Sequence, residues 1–319
     1  MDRYLITGAT GLIGSAFVRK LSNEDVKIIC PVRSKNKAQS MFSIDVFDKI
    51  NWVESSLEDF LKEMNGSYDY IIHCASPTAS KYFVDHPVET MLFNTTTPTS
   101  LLGYAKEYPI KGMVYLSSLE SYGTVLDDSK AINEDYQGYV NPMEIRSSYN
   151  MAKRICESLC HAYAEEYKVP VKVVRLTQTI SPYVNDDDMR VFAQFARHAA
   201  NGEDIELHTE GTAARQYIHI DDAVEAILCV LYKGNAGEAY NAAREDSYIS
   251  VRDMAQYVQE NFNPQSKVVF HLRKDMGYAP TTKLKLDVSK LRNLGWEAKY
   301  NLGEMFKDII DHLTFKTKR

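Results

Sequence analysis

Two residues in this chain, Tyr149 and Lys153, have types and a spacing that could do chemistry. They stand at the start of a predicted helix over Tyr149–Glu166, where a spacing of four places both side chains on one face. A phenol with an ordinary pKa of about 10 is a weak base at neutral pH, but a nearby ammonium group stabilises its phenolate. The pair therefore predicts a tyrosine that transfers protons with help from a lysine. An amphipathic helix with an exposed lysine gives the same pattern, so the prediction needs support from the rest of the chain.

A glycine-rich turn near the N-terminus predicts a binding site for a dinucleotide. The apolar strand Tyr4–Ile6 runs into glycines at positions 8, 11 and 14, and a helical pattern follows from Ala16 to Leu21. Gly8 would permit a tight turn, Gly11 a close approach of the backbone to a pyrophosphate, and Gly14 close packing of helix on strand. The spacing is G-x-x-G-x-x-G, and an ordinary strand-to-helix turn is the alternative.

The end of the second predicted strand, Val26–Val32, bears on the choice of dinucleotide. An acidic residue near this point binds the ribose hydroxyls of NAD, whereas a basic residue accommodates the 2′-phosphate of NADP. The chain has Arg33 here and no Asp or Glu between Lys27 and Asn36. The pattern favours NADP, although a solvated basic loop would look the same.

Further apolar runs alternate with helical patterns, which predicts an α/β fold with a doubly wound parallel sheet. Because the carboxyl ends of such strands form the ligand edge, the fifth strand would deliver Ser118 and Glu120 there. The third to sixth predicted strands are Ile50–Val53, Tyr70–Ala75, Gly112–Leu116 and Val171–Leu176.

Composition indicates an ordinary globular protein. The chain has 319 residues, 45% of them hydrophobic, and its net charge of -6 is spread along the sequence. No basic patch suggests nucleic acid, and no apolar stretch reaches the roughly 18 residues of a membrane span. The start of the chain lacks a signal-peptide pattern, and the five cysteines lie among apolar residues without paired spacing. We therefore expect a cytoplasmic protein with reduced thiols and neither a nucleic-acid nor a membrane partner.

Seven segments in the expected order make the chain resemble the extended short-chain dehydrogenase/reductase family, in particular its nucleotide-sugar epimerases, dehydratases and decarboxylases. The resemblance implies a Rossmann domain at 1–178 with 217–246, a substrate domain at 179–216 with 247–319, a nucleotide-sugar substrate and a homodimer. The segments are TGATGLIG, YDYIIHCAS, YLSSLESYG, SSYNMAK, VRLTQTISP, RQYIHIDDAVEAI and GEAYNAA.

The resemblance also implies roles for individual residues. Ser118, Tyr149 and Lys153 match the catalytic groups, and Lys153 also contacts the cofactor. The other residues implied at the NAD(P) site are Gly8, Thr10, Gly11, Leu12, Ile13, Gly14, Arg33 and Ala75. Those implied on the substrate side are Asn94, Gln178 and Arg215, the arginine meeting the substrate diphosphate. His219 is expected to be a buried structural histidine beside an aspartate that caps a helix.

Two departures from the family pattern leave the reaction open. Dehydratases have Asp-Glu where this chain has Leu119 and Glu120, so Glu120 alone is the candidate acid or base next to the oxidised carbon. Gln178 replaces the usual asparagine. The sequence thus predicts transient oxidation at sugar C4 followed by epimerisation or another redox-neutral conversion. The alternatives are an NADPH-dependent carbonyl reductase and a non-catalytic protein that senses dinucleotides.

Overall fold

A seven-stranded parallel sheet forms the centre of the protein in the computed structural model, which describes residues 1–185, 187–273 and 282–317. The strand order is β11-β6-β5-β4-β1-β2-β3, which confirms the predicted doubly wound fold. From β1 the strand order runs outward in one direction through β2 and β3, and in the other direction from β4 onward. The point between β1 and β4 is therefore the switch point of the sheet, where ligands bind in such folds. The strands are β1 (Arg3–Thr7), β2 (Lys27–Val32), β3 (Ile50–Glu54), β4 (Tyr70–His73), β5 (Gly112–Ser118), β6 (Val171–Leu176) and β11 (Ala239–Ala242).

Helices cover both faces of this sheet, which is why β5 and β6 are almost wholly buried and mostly apolar. Phe17 and Val224, from α1 and α9, pack on one face, while Leu101 and Cys156, from α6 and α7, pack on the other. The helices of this part are α1 (Leu12–Leu21), α2 (Lys35–Met41), α3 (Ile44–Phe47), α4 (Leu57–Lys62), α5 (Ser80–Asp85), α6 (Pro87–Glu107), α7 (Ser147–Tyr167) and α9 (Ile220–Lys233).

A second hydrophobic core lies among the later elements, with Phe192, Met254 and Phe306 at its centre. This core does not test the predicted domain boundaries, which remain a prediction. Residues 186, 274–281 and 318–319, which fall in the predicted substrate domain, lie outside the described residues. The remaining elements are β7 (Gln178–Ile180), α8 (Val191–Asn201), β8 (Ile205–Leu207), β9 (Ala214–Arg215), β10 (Tyr217–His219), β12 (Ile249–Ser250), α10 (Val251–Phe262), β13 (Val268–Phe270), β14 (Lys283–Leu284), α11 (Ser289–Arg292) and α12 (Leu302–Thr317).

Within the described residues, none of the helices combines the length and the apolar character needed to cross a bilayer. All five cysteines are free thiols, and Cys30, Cys156 and Cys160 are buried as the sequence predicts. Cys74 and Cys229 are only partly buried.

Candidate active site

Helix α7 presents Tyr149 and Lys153 from its first two turns, and both side chains are buried. Lys153 Nζ donates a hydrogen bond to the carbonyl oxygen of Leu116 in β5 at 2.8 Å. The same nitrogen lies 5.4 Å from the centre of the Tyr149 ring. Burial lowers the pKa of Lys153 to about 8. The spacing in sequence therefore produces the predicted tyrosine–lysine pair, in a desolvated site where each charge has a large effect.

The Tyr149 phenol stacks face to face on Phe83 of α5, with ring centres 4.1 Å apart. Burial raises the pKa of Tyr149, and the Glu120 carboxylate raises it further. Hydrogen bonding with Ser118 and Ser76 acts in the opposite direction, because both hydroxyls stabilise the phenolate. Proton transfer by Tyr149 thus depends on the donors that surround its oxygen.

Ser118 ends β5, and the next residues form a turn of 3-10 helix, Leu119–Tyr122. The Ser118 hydroxyl accepts a hydrogen bond from the Glu120 amide at 3.2 Å, which fixes the start of this turn. The Glu120 carboxylate accepts bonds from Arg146 Nη2 at 2.9 and 2.8 Å. Leu119 is 2% exposed and packs in a small core with Leu286. The position where dehydratases carry an acid therefore faces the interior here.

Asn94 of α6 lies beside the site, but its side chain is directed at protein groups. Its Oδ1 accepts a bond from Ser76 Oγ at 2.6 Å, and its Nδ2 donates to the Thr90 carbonyl at 2.8 Å. Asn94 thus holds Ser76, whose hydroxyl is one of the groups that lower the pKa of Tyr149. Sequence reasoning missed Ser76, because one serine after a strand is unremarkable until α6 and α7 bring Asn94 and Tyr149 next to it.

In the glycine turn after β1, the positions of Gly8 and Gly14 have no room for a Cβ atom. Gly8 has a φ of +71°, and a Cβ there would lie 2.7 Å from the amide nitrogen of Ala75. A Cβ on Gly14 would lie 2.2 Å from the Gly8 carbonyl oxygen. Helix α1 begins after Gly11 with neither a side-chain cap nor an acid in its first turn. Its amides and positive end therefore suit a pyrophosphate, so these residues fit a dinucleotide.

The loops after β1 and β4 are joined at the switch point of the sheet. Thr7 Oγ1 bonds His73 Nδ1 at 2.7 Å and accepts a bond from the Ala75 amide at 3.3 Å. Burial lowers the pKa of His73 to about 3, so this histidine is a neutral structural group. Three partly exposed residues, Thr10, Leu12 and Ile13, lie on or beside the same turn. The structure thus places these three residues and the glycines on or beside the turn that Ala75 contacts, and their role at a cofactor remains a prediction.

Arg33 follows β2 and is exposed. The nearby carboxylate of Glu54, at the end of β3, accepts a hydrogen bond from the Lys35 amide at 2.9 Å. An acid therefore stands close to this loop after all, contributed by β3 rather than by β2.

Gln178 and Arg215 belong to two small sheets beyond the central one. Gln178 is partly exposed at the start of β7, which pairs with β10. Arg215, in β9, has a buried Nε without a hydrogen-bond partner among the described residues. A buried donor without an acceptor is unusual in a folded protein, and Arg146 Nε and Arg197 Nη1 share this state among the described residues.

His219 is buried as predicted, but it is the histidine, and not the aspartate, that caps the following helix. The histidine itself caps α9, because its Nδ1 accepts a bond from the Asp221 amide at 3.2 Å. The buried Asp222 accepts amide bonds from Lys299 and Tyr300 instead.

With this geometry defined, residues 4–243 match the model of a family described as the NAD dependent epimerase/dehydratase family. The chain belongs to this family. The match confirms the resemblance that the sequence predicts. It also confirms the predicted class of enzyme, because this family is NAD-dependent.

Relatives and solved structures agree with membership of the epimerase/dehydratase family. UDP-glucuronic acid decarboxylase 3 of Arabidopsis thaliana is 29% identical over 311 residues, 95% of this chain and 86% of that protein. The UDP-glucose 4-epimerase of Thermotoga maritima superposes with a TM-score of 0.83 at 22% identity, covering 99% of each chain. A UDP-glucuronic acid 4-epimerase from Bacillus cereus, solved with NAD, gives 0.79 at 19% identity, covering 99% of this chain and 98% of the other. The two structural likenesses establish the fold.

Proposed function

We propose that this protein converts a nucleotide-linked sugar by transient oxidation at C4, in a reaction without net oxidation or reduction. The observation that carries the proposal is the meeting of Ser118, Tyr149 and Lys153 beside the glycine turn at the carboxyl edge of the sheet. The names of the relatives support the substrate class, because the decarboxylase and both epimerases act on UDP-sugars.

Each of the three residues has a distinct task in the oxidation. Tyr149, as phenolate, takes the proton of the sugar hydroxyl, and Ser118 hydrogen-bonds the same oxygen as its charge develops. Lys153 supplies the positive charge that favours the phenolate and is placed to bind the nicotinamide ribose. A dinucleotide held by the glycine turn and Lys153 would supply the acceptor for the C4 hydride and the donor for its return.

The substrate diphosphate is proposed to bind Arg215. A guanidinium group presents paired donors that match phosphate oxygens, and the buried Nε of Arg215 lacks an acceptor among the described residues. Gln178 is proposed to contact the sugar from β7, where its side chain is partly exposed.

The cofactor is proposed to be NAD(P), with Arg33 favouring NADP. Arg33 is exposed at the end of β2, where a guanidinium group can pair with a 2′-phosphate. The same residue favours a second candidate function, an NADPH-dependent carbonyl reductase that releases its oxidised cofactor after each turnover.

The test is a panel of UDP-, dTDP-, GDP- and CDP-sugars, beginning with UDP-glucuronic acid and with products identified by mass spectrometry and NMR. A product in the same oxidation state, formed without consumption of added cofactor, supports the proposal. Consumption of NADPH in proportion to product, with no cofactor retained on the isolated protein, would favour the reductase.

A homodimer formed through α6 and α7 is also proposed. Val88 and Leu92 of α6 are 62% and 56% exposed, and Ile155 of α7 is 40% exposed, so both helices carry apolar side chains on an outer surface. Sedimentation velocity should give a dimer for the native protein and for Leu126→Asp, a matched change elsewhere on the surface, but a monomer for Leu92→Asp. A native monomer at micromolar concentration would refute the dimer.

A further inference from the structure

A row of polar residues, beginning at the N-cap of α7 and continuing along the helix, holds the turn that carries Glu120. Arg146, Asn150 and Arg154 are spaced by four and therefore lie along one side of the helix. Asn150 Nδ2 donates to the Glu120 carbonyl at 2.6 Å, and Arg154 Nε donates to the Ser121 carbonyl at 2.6 Å. Arg146 is the member of the row that binds the Glu120 side chain itself.

The Arg146–Glu120 pair is largely shielded from water. The two side chains are 14% and 21% exposed, and the Arg146 guanidinium carbon lies 4.9 Å from the centre of the Phe83 ring. The Phe83 ring also stacks on the ring of Tyr149. Charges in such surroundings act strongly on a nearby phenol, because little water screens them.

The two members of the pair act on Tyr149 with opposite sign. The Glu120 carboxylate raises the pKa of Tyr149, as burial does, and the Arg146 guanidinium lowers it. A carboxylate next to a phenol that must ionise opposes that ionisation, since two negative charges would then share one desolvated site. The charged and titratable groups around Tyr149 are Arg146 and Lys153 on its own helix, Glu120 on the turn and Tyr115 on β5. The loop after β4 and α5 contribute uncharged groups, Ser76 and Phe83.

We propose that Arg146 is a positioning residue whose ion pair with Glu120 allows this chain to keep a carboxylate beside the Tyr149 phenolate. Arg146 fixes the direction of the Glu120 side chain and offsets its charge while Tyr149 takes the sugar proton. Glu120 is then in place for the later proton transfer at the carbon next to the ketone. This role rests on the proposed function, because it concerns the oxidation that Tyr149 performs.

The test is the pH dependence of nicotinamide reduction in single turnovers with a nucleotide-sugar substrate, followed by absorbance. Arg146→Met leaves Glu120 uncompensated, so the midpoint of the rise in rate should move to higher pH by about one unit, the scale expected for one nearby charge. Glu120→Gln should move the midpoint to lower pH, and the double variant should return it towards the native value. Arg146→Lys keeps the charge and should restore most of the shift.

Arg154→Met is the matched control, because Arg154 holds the same turn through backbone carbonyls and does not touch the Glu120 carboxylate. It should lower the rate or the stability without moving the midpoint. If Arg146→Met slows reduction but leaves the midpoint where it is, Arg146 is merely structural and the inference is wrong. If the native protein reduces no nicotinamide with any sugar of the panel, the proposed function itself fails and the inference falls with it. Cofactor binding by each variant, measured by fluorescence, shows that it has folded.

Discussion

Replacing Lys153 by methionine should make the protein more stable at neutral pH while removing its activity. Lys153 is 2% exposed, and its pKa falls from 10.5 to about 8, so the folded chain binds this proton less tightly than the unfolded chain does. A difference of about 2.5 pH units corresponds to about 3 kcal/mol. Loss of the hydrogen bond to the Leu116 carbonyl offsets about 1 kcal/mol of this. The expected gain for Lys153→Met is therefore about 2 kcal/mol at pH 7.

The pH dependence gives this prediction its sign. Below pH 8 the lysine is charged in both states, so the full cost of burying the charge opposes folding. Between about pH 8 and 10.5 the folded protein releases the proton before the unfolded chain does, and the native protein gains stability relative to the variant. Above that range both states are neutral, the cost of burying the charge disappears, and only the lost hydrogen bond to Leu116 separates the two proteins.

Urea unfolding of both proteins without added cofactor, from pH 7 to pH 10.5, measures this difference. The advantage of Lys153→Met should shrink as the pH rises, while its turnover stays at least about 100-fold below native. A variant that is less stable than the native protein at pH 7, with a difference independent of pH, would refute the reasoning.

Three further predictions concern the cofactor edge of the sheet. Gly14→Ala should abolish dinucleotide binding and lower the free energy of unfolding, since its Cβ would lie 2.2 Å from the Gly8 oxygen. Gly103→Ala is the control: a Cβ there meets no atom within 4 Å, so this change should stabilise α6. Calorimetry and fluorescence titration distinguish the two, and equal effects would contradict the packing argument. His73, whose pKa is lowered from 6.5 to about 3, should make the native protein lose stability as the pH falls below 6.5, because the unfolded chain takes up a proton that the folded one does not. His73→Asn should reduce this slope by about 1.4 kcal/mol per pH unit in denaturant unfolding between pH 6 and pH 4, and an unchanged slope would oppose the assignment. Arg33→Ala should weaken binding of NADP but not of NAD in fluorescence titrations, and equal loss of both would exclude a 2′-phosphate contact.

Much of the fold follows from local pattern. Strands β4, β5 and β6 are mostly apolar runs with few exposed positions, and even the charged Lys172 and Arg175 of β6 are buried. The end of β4 does not follow from the pattern: the strand ends at His73 rather than Ala75, because Cys74 and Ala75 already belong to the loop that meets the glycine turn.

The predictable part of the site is the part with fixed spacing along the chain. Tyr149 and Lys153 are one helical turn apart, and the three glycines are set by their own packing. Ser76, Phe83 and Arg146 have no such signal, because each becomes part of the site only when α5, α6 and α7 pack together. Their roles depend on contacts between distant elements, which spacing in one sequence does not encode.

The central claim is that Tyr149 takes the sugar proton during oxidation at C4. Rapid mixing of the cofactor-loaded protein with the substrate found in the panel should show transient reduction of the nicotinamide. Tyr149→Phe should bind cofactor and substrate normally and show a reduction rate at least about 100-fold lower. A variant that reduces its nicotinamide at the native rate would contradict the account.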